Sequence, residues 1–389
     1  MTSTGMRPAA AIPPRAAIPL EARAVLTIGL KALRANWAEL NRVSGRAECA
    51  GVIKADAYGL GLEEISRALT REGCRTFFTA TIDEARRVRA VQPGAAIYVL
   101  DGLLPGAAPY YAGFDLRPCL SSLGEVREWA AFCRATGRRL RAAVHIDTGM
   151  NRLGLPEAEA HELAGDSTLF ADFELALVMS HLACADEPAN PMNACQKQTF
   201  DRLRALLPAA PASLANSGGT FLAPDYHYDL VRPGIALYGG RALEGRANPM
   251  QWVVRLAARI LQVRDAPAGE TVGYGASYRL ERPSRIATLA CGYADGFLRA
   301  LSASTGQHGP VGFIGARAVP VIGRVSMDLI TVDVTDVPPG EAIRGAWIEV
   351  LGPRTTIDDL TDRAGTIGYE LLTRLGRRVH RIYDDGETS

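Results

Sequence analysis

A βα rhythm constrains this chain more than any other feature. Strand-like runs recur at residues 49–54, 76–81, 97–100, 117–121, 140–147, 173–181, 213–216 and 230–238. Amphipathic stretches of helical period, such as 63–72, 83–91, 124–136 and 196–207, separate most of them. Parallel strands cannot be joined by a tight turn and need a crossover long enough to hold a helix, so this alternation predicts a parallel sheet. Eight such units in roughly 200 residues predict an α/β fold of the (β/α)8 TIM-type barrel class. A doubly wound sheet is the structural alternative, but no dinucleotide-type glycine fingerprint follows the first strand.

After Gly240 the texture changes. Runs at 253–263, 284–291, 318–321, 329–334 and 347–351 read as strands, and the turn clusters 266–269, 282–284 and 337–340 divide them. Helical periodicity stays weak until 356–375. The organisation expected is a barrel domain over 20–244 and a mainly β domain over 245–389. The first strand, at 23–28, is expected to pack with the C-terminal domain. Residues 1–19, rich in proline and alanine with no continuous apolar run, read as a flexible arm.

Charge excludes several classes of partner. Lys and Arg number 43 against 42 Asp and Glu, with no long block of one sign, so nucleic acid and anionic membranes are not expected partners. No apolar run is long enough to span a bilayer. The seven cysteines are odd in number and never spaced C-x-x-C, which reads as free thiols in a reducing, cytoplasmic setting. The six histidines show no metal-ligand spacing, so no metal site is expected.

The segment 52–61, VIKADAYGLG, ends an apolar run in a lysine and then turns. A lysine removed from water can lose its proton, and the neutral amine can form a Schiff base with an aldehyde. Barrels of this class place their active sites at the C-terminal ends of the strands. Lys54, His145, Asp147, His181 and Ser217 fall at such ends, and Arg232 lies in the eighth run. Each alone has an ordinary explanation as a core histidine, a turn serine or a surface cation. Their shared position at one rim does not.

The spacing of these segments resembles the alanine racemase family from about Leu20 to the end. VIKADAYGLG is similar to that family's pyridoxal-phosphate (PLP) lysine motif, and residues 145–154, HIDTGMNRLG, to its D-T-G-M-x-R-x-G segment. Residues 180–186 (SHLACAD), 215–217 (ANS) and 231–239 (VRPGIALYG) match its barrel motifs. Residues 272–275 (VGYG), 292–296 (GYADG), 323–328 (GRVSMD) and 367–370 (IGYE) match its second domain. The resemblance implies an isomerase that interconverts L-alanine and D-alanine, supplies D-alanine for peptidoglycan, and works as a homodimer with shared active sites. Lys54 would carry PLP as a Schiff base and act as one proton-transfer base. Tyr58, Ser217, Tyr369 and backbone amides near Gly234 would hold the phosphate, with His181 and Asn216 also lining the cofactor. Arg232 would face the pyridine nitrogen. Arginine keeps its proton, whereas the carboxylate of other PLP enzymes keeps the ring protonated and a stronger electron sink. Arginine there should favour reprotonation at Cα over transamination.

Racemisation needs a proton removed from one face of Cα and returned on the other, so two bases are the direct solution. The resemblance makes the second base Tyr274, supplied by the partner subunit. An ordinary tyrosine stays protonated at neutral pH. A hydrogen-bond chain from Tyr274 through His181 to the Arg232 cation would favour its phenolate. Arg152 and the backbone amide of Met327 would hold the substrate carboxylate, with Asp186 and Tyr293 at the entrance. The chain departs from the family at His145, where many relatives have a lysine modified to a carbamate. A histidine cannot form that stable carbamate, so Arg152 lacks the expected anionic brace. Ser326 stands where some relatives have cysteine. A racemase acting on serine or on a broader set of amino acids would use the same machinery, since an apolar pocket rejects one added hydroxyl poorly.

Overall fold

The computed structural model describes residues 18–386 apart from 167 and 308, so most of the N-terminal arm lies outside the described residues. The chain forms two compact units. One is Ala32–Gln251, and the other joins the N-terminal residues up to Lys31 to everything from Trp252 onward.

In Ala32–Gln251 seven parallel strands follow one another in sequence order. They are Gly51–Val52, Thr76–Thr79, Ala96–Val99, Arg117–Leu120, Arg141–His145, Glu174–Met179 and Ala212–Ser213. Leu230–Val231 then pairs parallel with Glu48–Cys49, the start of the first barrel strand. Backbone bonds from Asp229 to Ala212 (3.1 Å) and from Arg232 to Ala215 (2.9 Å) join its other edge to the seventh strand. The eight strands therefore close into a barrel. Its strands are short runs of buried apolar side chains, such as Phe77 and Phe78, Ile97 and Val99, Ala143 and Val144. A strand covered on both faces needs no polar alternation, so these segments read as continuous apolar runs. The flanking helices show the complementary pattern. Leu62–Glu72 buries Leu62, Ile65, Ala68 and Leu69, one stripe at helical spacing. Thr81 and Ser122 accept the amides of Glu84 and Glu125 and so fix where the helices Ile82–Val91 and Leu123–Thr136 begin.

Two barrel segments differ from the strands expected. In 230–238 only Leu230–Val231 is strand, and Ile235–Tyr238 is a 3-10 turn. Pro233 has no N–H for a ladder, and the bend at Gly234 turns the chain away. Ile235 to Tyr238 are all buried, so the apolar run looked like more strand. In 213–216 the strand is Ala212–Ser213, and Asn216 caps the helix Ser217–Leu222.

In the other unit the strand Ala24–Gly29 pairs antiparallel with Val254–Ala266 and parallel with His380–Asp384. Val254–Ala266 pairs with Trp347–Leu351 along its first half and with Ser284–Leu289 along its second, with a register shift between Ile260 and Gln262. Ile330–Asp333, Arg317–Ile322 and Val311–Ile314 complete this circuit of antiparallel strands. The buried ion pair of Arg255 and Glu349 (3.0 Å) bridges two of its strands. The helical period at 356–375 resolves into Ile357–Ala364 and Gly368–Thr373, separated at Gly365. Among the described residues no helix is long and apolar enough to cross a membrane.

Candidate active site

The first barrel strand ends at Val52, and the chain after Ile53 does something unusual. Ala55, Asp56, Ala57 and Tyr58 all have φ between 53° and 57°, so four consecutive non-glycine residues form one left-handed turn. For L-residues this costs roughly 1–2 kcal/mol each. The turn is held by hydrogen bonds from Ala57 to the Ile53 carbonyl (2.9 Å) and from Gly61 to the Asp56 carbonyl (2.9 Å). Lys54 opens this turn, half-buried at the strand's end. Burial and the nearby charges of Arg152 and Arg232 lower its pKa, while Asp101 and Glu84 partly offset them. Those are the conditions that favour a neutral, nucleophilic amine.

At the end of the adjoining eighth strand, which pairs with the start of the Lys54 strand, Arg232 is 3% exposed. Its guanidinium donates to the Ser213 hydroxyl, to the Ser180 carbonyl (2.6 Å) and to His181 Nδ1 (3.4 Å). Burial pushes its pKa down to about 10, which leaves it charged at neutral pH. Arginine can only donate, so His181 accepts at Nδ1 and carries its proton on Nε2. Burial, then the charge of Arg232, hold the His181 pKa well below the ordinary histidine value, so the ring is neutral.

Next to this pair lies a small nest of donors. The Ser217 hydroxyl accepts the amide of Gly234 (2.8 Å) and lies 3.4 Å from that of Ala236. A Cβ at position 234 would overlap the Tyr58 hydroxyl, so only glycine lets Tyr58 approach. The Tyr58 ring packs on Tyr238 at 4.6 Å, and Tyr238 donates to the Val52 carbonyl (3.0 Å). Two hydroxyls and two backbone amides at one spot suit the oxygens of an anion. Asn216 caps from beside them, accepting the Gly219 amide (3.0 Å) and donating to the Leu182 carbonyl (3.4 Å).

His145 ends the fifth strand, buried, with Nδ1 3.5 Å from the Ser121 hydroxyl. Burial, then Arg232, lower its pKa to about 4. It is a neutral group and gives Arg152 no anionic brace. Arg152 is exposed, in a loop that Asp147 ties by accepting the amides of Gly149 and Met150 (2.9 Å each). Asp186 is exposed as well, and its carbonyl accepts the Glu244 amide (2.7 Å).

Gln196 escaped the sequence reading. It is fully buried, donates to Thr148 (3.2 Å) and the His181 carbonyl (2.9 Å), and accepts the Ala183 amide (2.8 Å). It thus locks the His181 segment to the start of the Arg152 loop. It lies past the first turn of the helix Met192–Arg204, on the buried face with Asn193, Phe200 and Leu203. The available signal is its spacing, since Gln196, Phe200, Leu203 and Leu207 fall on one helical stripe and put a polar side chain on the buried face.

The remaining expected residues belong to the other unit. Tyr274 stands on a 3-10 turn, 70% exposed. Tyr293 and Met327 are also exposed, on two loops stitched together by backbone bonds. Tyr293 donates to the Ser326 carbonyl (3.0 Å) and Ala294 to the Met327 carbonyl (2.9 Å). A Cβ at Gly292 would overlap both carbonyls, which makes glycine necessary there. Tyr369 is exposed on the helix Gly368–Thr373. Buried Asp295 braces the pair of loops, accepting the Gly292 amide (3.0 Å) and Arg378 Nε (3.0 Å), while Arg378 also pairs with Asp328 (2.8 Å). The structure therefore gathers Lys54, Tyr58, His181, Asn216, Ser217, Arg232 and Gly234 at one end of the barrel, and within the other unit it puts Tyr274, Tyr293 and Met327 on exposed loops.

The family model of the alanine racemase N-terminal domain matches residues 28–242, and that of the alanine racemase C-terminal domain matches residues 253–383. The chain is 52% identical to an alanine racemase of Methylobacterium sp. (strain 4-46), over 92% of this chain and 97% of that protein. It is 50% identical to one of Methylobacterium nodulans, over 93% and 96%. Among solved structures, the alanine racemase of Bartonella henselae with covalently bound pyridoxal phosphate matches at a TM-score of 0.87. It is 39% identical, over 93% of this chain and 99% of that one. With both family models matched in order and half of its residues shared with these relatives, the chain belongs to the alanine racemase family.

Proposed function

We infer that this protein is a PLP-dependent alanine racemase, interconverting L-alanine and D-alanine and supplying D-alanine for peptidoglycan. The observation that carries the reading is one convergence at the barrel's end. A desolvated lysine, a buried arginine hydrogen-bonded to a neutral histidine, and a nest of two hydroxyls and two amides lie together. The residues present fit the cofactor. Lys54 offers the amine for its aldehyde, Ser217, Tyr58 and the Gly234 and Ala236 amides suit its phosphate, and Arg232 suits its ring nitrogen. Tyr369 would add a hydroxyl to the phosphate, and Asn216 and His181 would line the ring. When bound, PLP acidifies the Cα–H of an amino acid by accepting electron density.

The chain's own residues supply the rest. Lys54 Nζ, with its pKa lowered, takes or returns a proton on one face of Cα. Tyr274 of the partner subunit does so on the other face through its hydroxyl. The Nε2–H of neutral His181 can donate to that hydroxyl and favour its anionic form, while Arg232 fixes the imidazole tautomer. Arg152 and the Met327 amide hold the substrate carboxylate, and Asp186 and Tyr293 stand at the entrance. In this reading residues 20–244 are the cofactor-holding domain, and 245–389 present Tyr274, Met327 and Tyr293 to a second copy in a homodimer.

The test has two parts. Each L-amino acid, serine included, is assayed for its D-form with and without added PLP, and alanine should be turned over fastest. Borohydride reduction followed by peptide mapping should place the pyridoxyl label on Lys54. A label on another lysine, or no D-alanine from protein saturated with PLP, would sink the reading.

A further inference from the structure

We propose that Glu84 is a positioning residue for Lys54: its carboxylate joins the left-handed Lys54 turn to the end of the next barrel strand and holds that turn in its costly conformation. This rests on the reading of Lys54 given above. One carboxylate oxygen accepts the Asp56 amide (3.0 Å), in the middle of the turn. The other accepts the Ala80 amide (3.0 Å), directly after the strand Thr76–Thr79. Two backbone donors on adjacent strand ends are thus satisfied by one half-buried side chain.

The ordinary explanation for this glutamate is a helix cap. Thr81 caps the helix Ile82–Val91, and Glu84 is the third residue of that helix, the place where a capping box puts a glutamate. A capping-box glutamate reaches back to the amide of the cap residue itself. Glu84 instead passes the cap to reach Ala80, and its second oxygen crosses to a neighbouring strand. The same helix supplies a second tie. Arg87 donates to the Asp56 carboxylate (2.8 Å) and holds Glu63 with two bonds (2.7 and 2.8 Å), and the Asp56 carboxylate also accepts the Leu62 amide (3.2 Å). Asp56, at the centre of the turn, is therefore held at its amide by Glu84 and at its side chain by Arg87. A turn that L-residues avoid needs such external ties. The Glu84 carboxylate also counters part of the charge that Arg152 and Arg232 impose on the Lys54 amine.

The experiment compares wild type, Glu84→Gln and Glu84→Asp, with Glu64→Gln as control, since Glu64 pairs with Arg67 on the same helix, Leu62–Glu72. Glutamine keeps the length but turns an N–H2 toward one of the two amides. Aspartate keeps the charge but cannot span both. The readouts are amide exchange by mass spectrometry over the peptide 53–61 in the apoenzyme, the rate at which apoenzyme takes up PLP, and kcat and KM for L-alanine, with the unfolding midpoint of each variant beside them. In both Glu84 variants the peptide 53–61 should lose protection and PLP uptake should slow several-fold. The value of kcat should fall by about 100-fold with KM nearly unchanged, as expected when a reacting group is misplaced by an ångström or so. Glu64→Gln should match wild type in every readout. Unchanged protection at 53–61 and unchanged PLP uptake would overturn the proposal. So would a loss of activity that merely tracks a lower unfolding midpoint. Wild-type protein that takes up no PLP on Lys54 would overturn the functional reading, and this inference with it. That result is read on the wild type alone, so the two failures are told apart.

Discussion

Arg232 and Tyr274 stand for two ways of presenting a functional side chain. Arg232 is 3% exposed, and its guanidinium meets a hydroxyl, a carbonyl and an imidazole of neighbouring strand ends. Tyr274 is 70% exposed on a short turn. The difference extends to their surroundings. The barrel rim is wired through side chains, and burial shifts the pKa values of Lys54, His145, His181 and Arg232. In the β unit the loops that carry Tyr293 and Met327 are joined through backbone, Tyr293 to Ser326 and Ala294 to Met327, while the Tyr293 and Met327 side chains stay exposed. A buried polar group must have partners, so the rim is organised before anything binds. Burial alone would raise a tyrosine's pKa, so under the proposed function Tyr274 needs a hydrogen-bond donor such as the Nε2–H of His181 beside its hydroxyl, which a shared site would supply.

The strongest test of the rim is Lys54→Ala. If the rim is a cofactor site with one reactive amine, this variant loses the visible absorption of bound PLP and racemisation falls by about 10⁴-fold or more. The other rim residues remain in place, so its circular dichroism and elution volume should match wild type. Retained PLP on another lysine, with activity intact, would break the comparison at its buried end.

Tyr274→Phe tests the exposed end. Alone it should be slower by about 10³-fold, because one of two proton transfers loses its base. Lys54→Ala and Tyr274→Phe are then mixed under conditions that exchange subunits. Heterodimers should contain one site with both bases and one with neither, so part of the wild-type rate should return. Demonstrated subunit exchange with no recovered rate would place both bases in one chain.

What is legible in the sequence follows this same division. Strand ends were visible because buried parallel strands are short apolar runs, and a lysine or histidine terminating one stands out. Lys54 and His145 were found that way. The left-handed turn was invisible, since Ala55, Asp56, Ala57 and Tyr58 carry no glycine to announce positive φ. The glutamate that holds it lies 28 residues further on. Gln196 was missed for a related reason. It lies on the buried face of its own helix, but its three partners are on two other loops and no local pattern names them. The excess strand read at 230–238 came from treating apolar character as strand, when Pro233 had already removed the ladder donor. In the β unit the strand Val311–Ile314 is interrupted by glycine, and His380–Asp384 is largely polar, so neither carried a clear period. Interactions local in sequence were legible, and those joining distant segments were not.

Arg232→Lys sharpens the comparison from the buried side with a smaller effect. It keeps a positive charge but replaces a planar fork by a point donor, which cannot reach Ser213, the Ser180 carbonyl and His181 together. Leaving one buried acceptor unpaired should lower the unfolding free energy by about 1–3 kcal/mol. Because the histidine tautomer is no longer fixed, kcat should fall by roughly 10-fold while Lys54 still takes up PLP. Denaturant unfolding and steady-state rates check the two halves separately. Stability equal to wild type would mean that the fork is not what anchors Arg232.

The smallest effect on rate comes with a dependence of stability on pH, and it again separates buried from exposed. His145 has a folded-state pKa lowered to about 4, by burial first and then by Arg232. An unfolded histidine titrates near 6.5, so between those two values the unfolded chain binds a proton that the folded chain refuses. Stability therefore rises with pH across that window. The contribution is fully present above pH 6.5 and is lost as pH falls toward 4. For a nearly buried group a shift of this size amounts to something on the order of 3 kcal/mol across the window. His181 acts in the same direction. His145→Gln removes the titrating group while keeping a polar side chain near Ser121. The difference in unfolding free energy between wild type and variant should therefore change with pH between 4 and 6.5 and stay level above 7, with racemisation at pH 8 altered only a few-fold. Parallel curves for the two proteins from pH 4 to 8 would show that His145 takes up protons as readily in the fold as outside it, and the buried, neutral imidazole beside Arg152 would have to be abandoned.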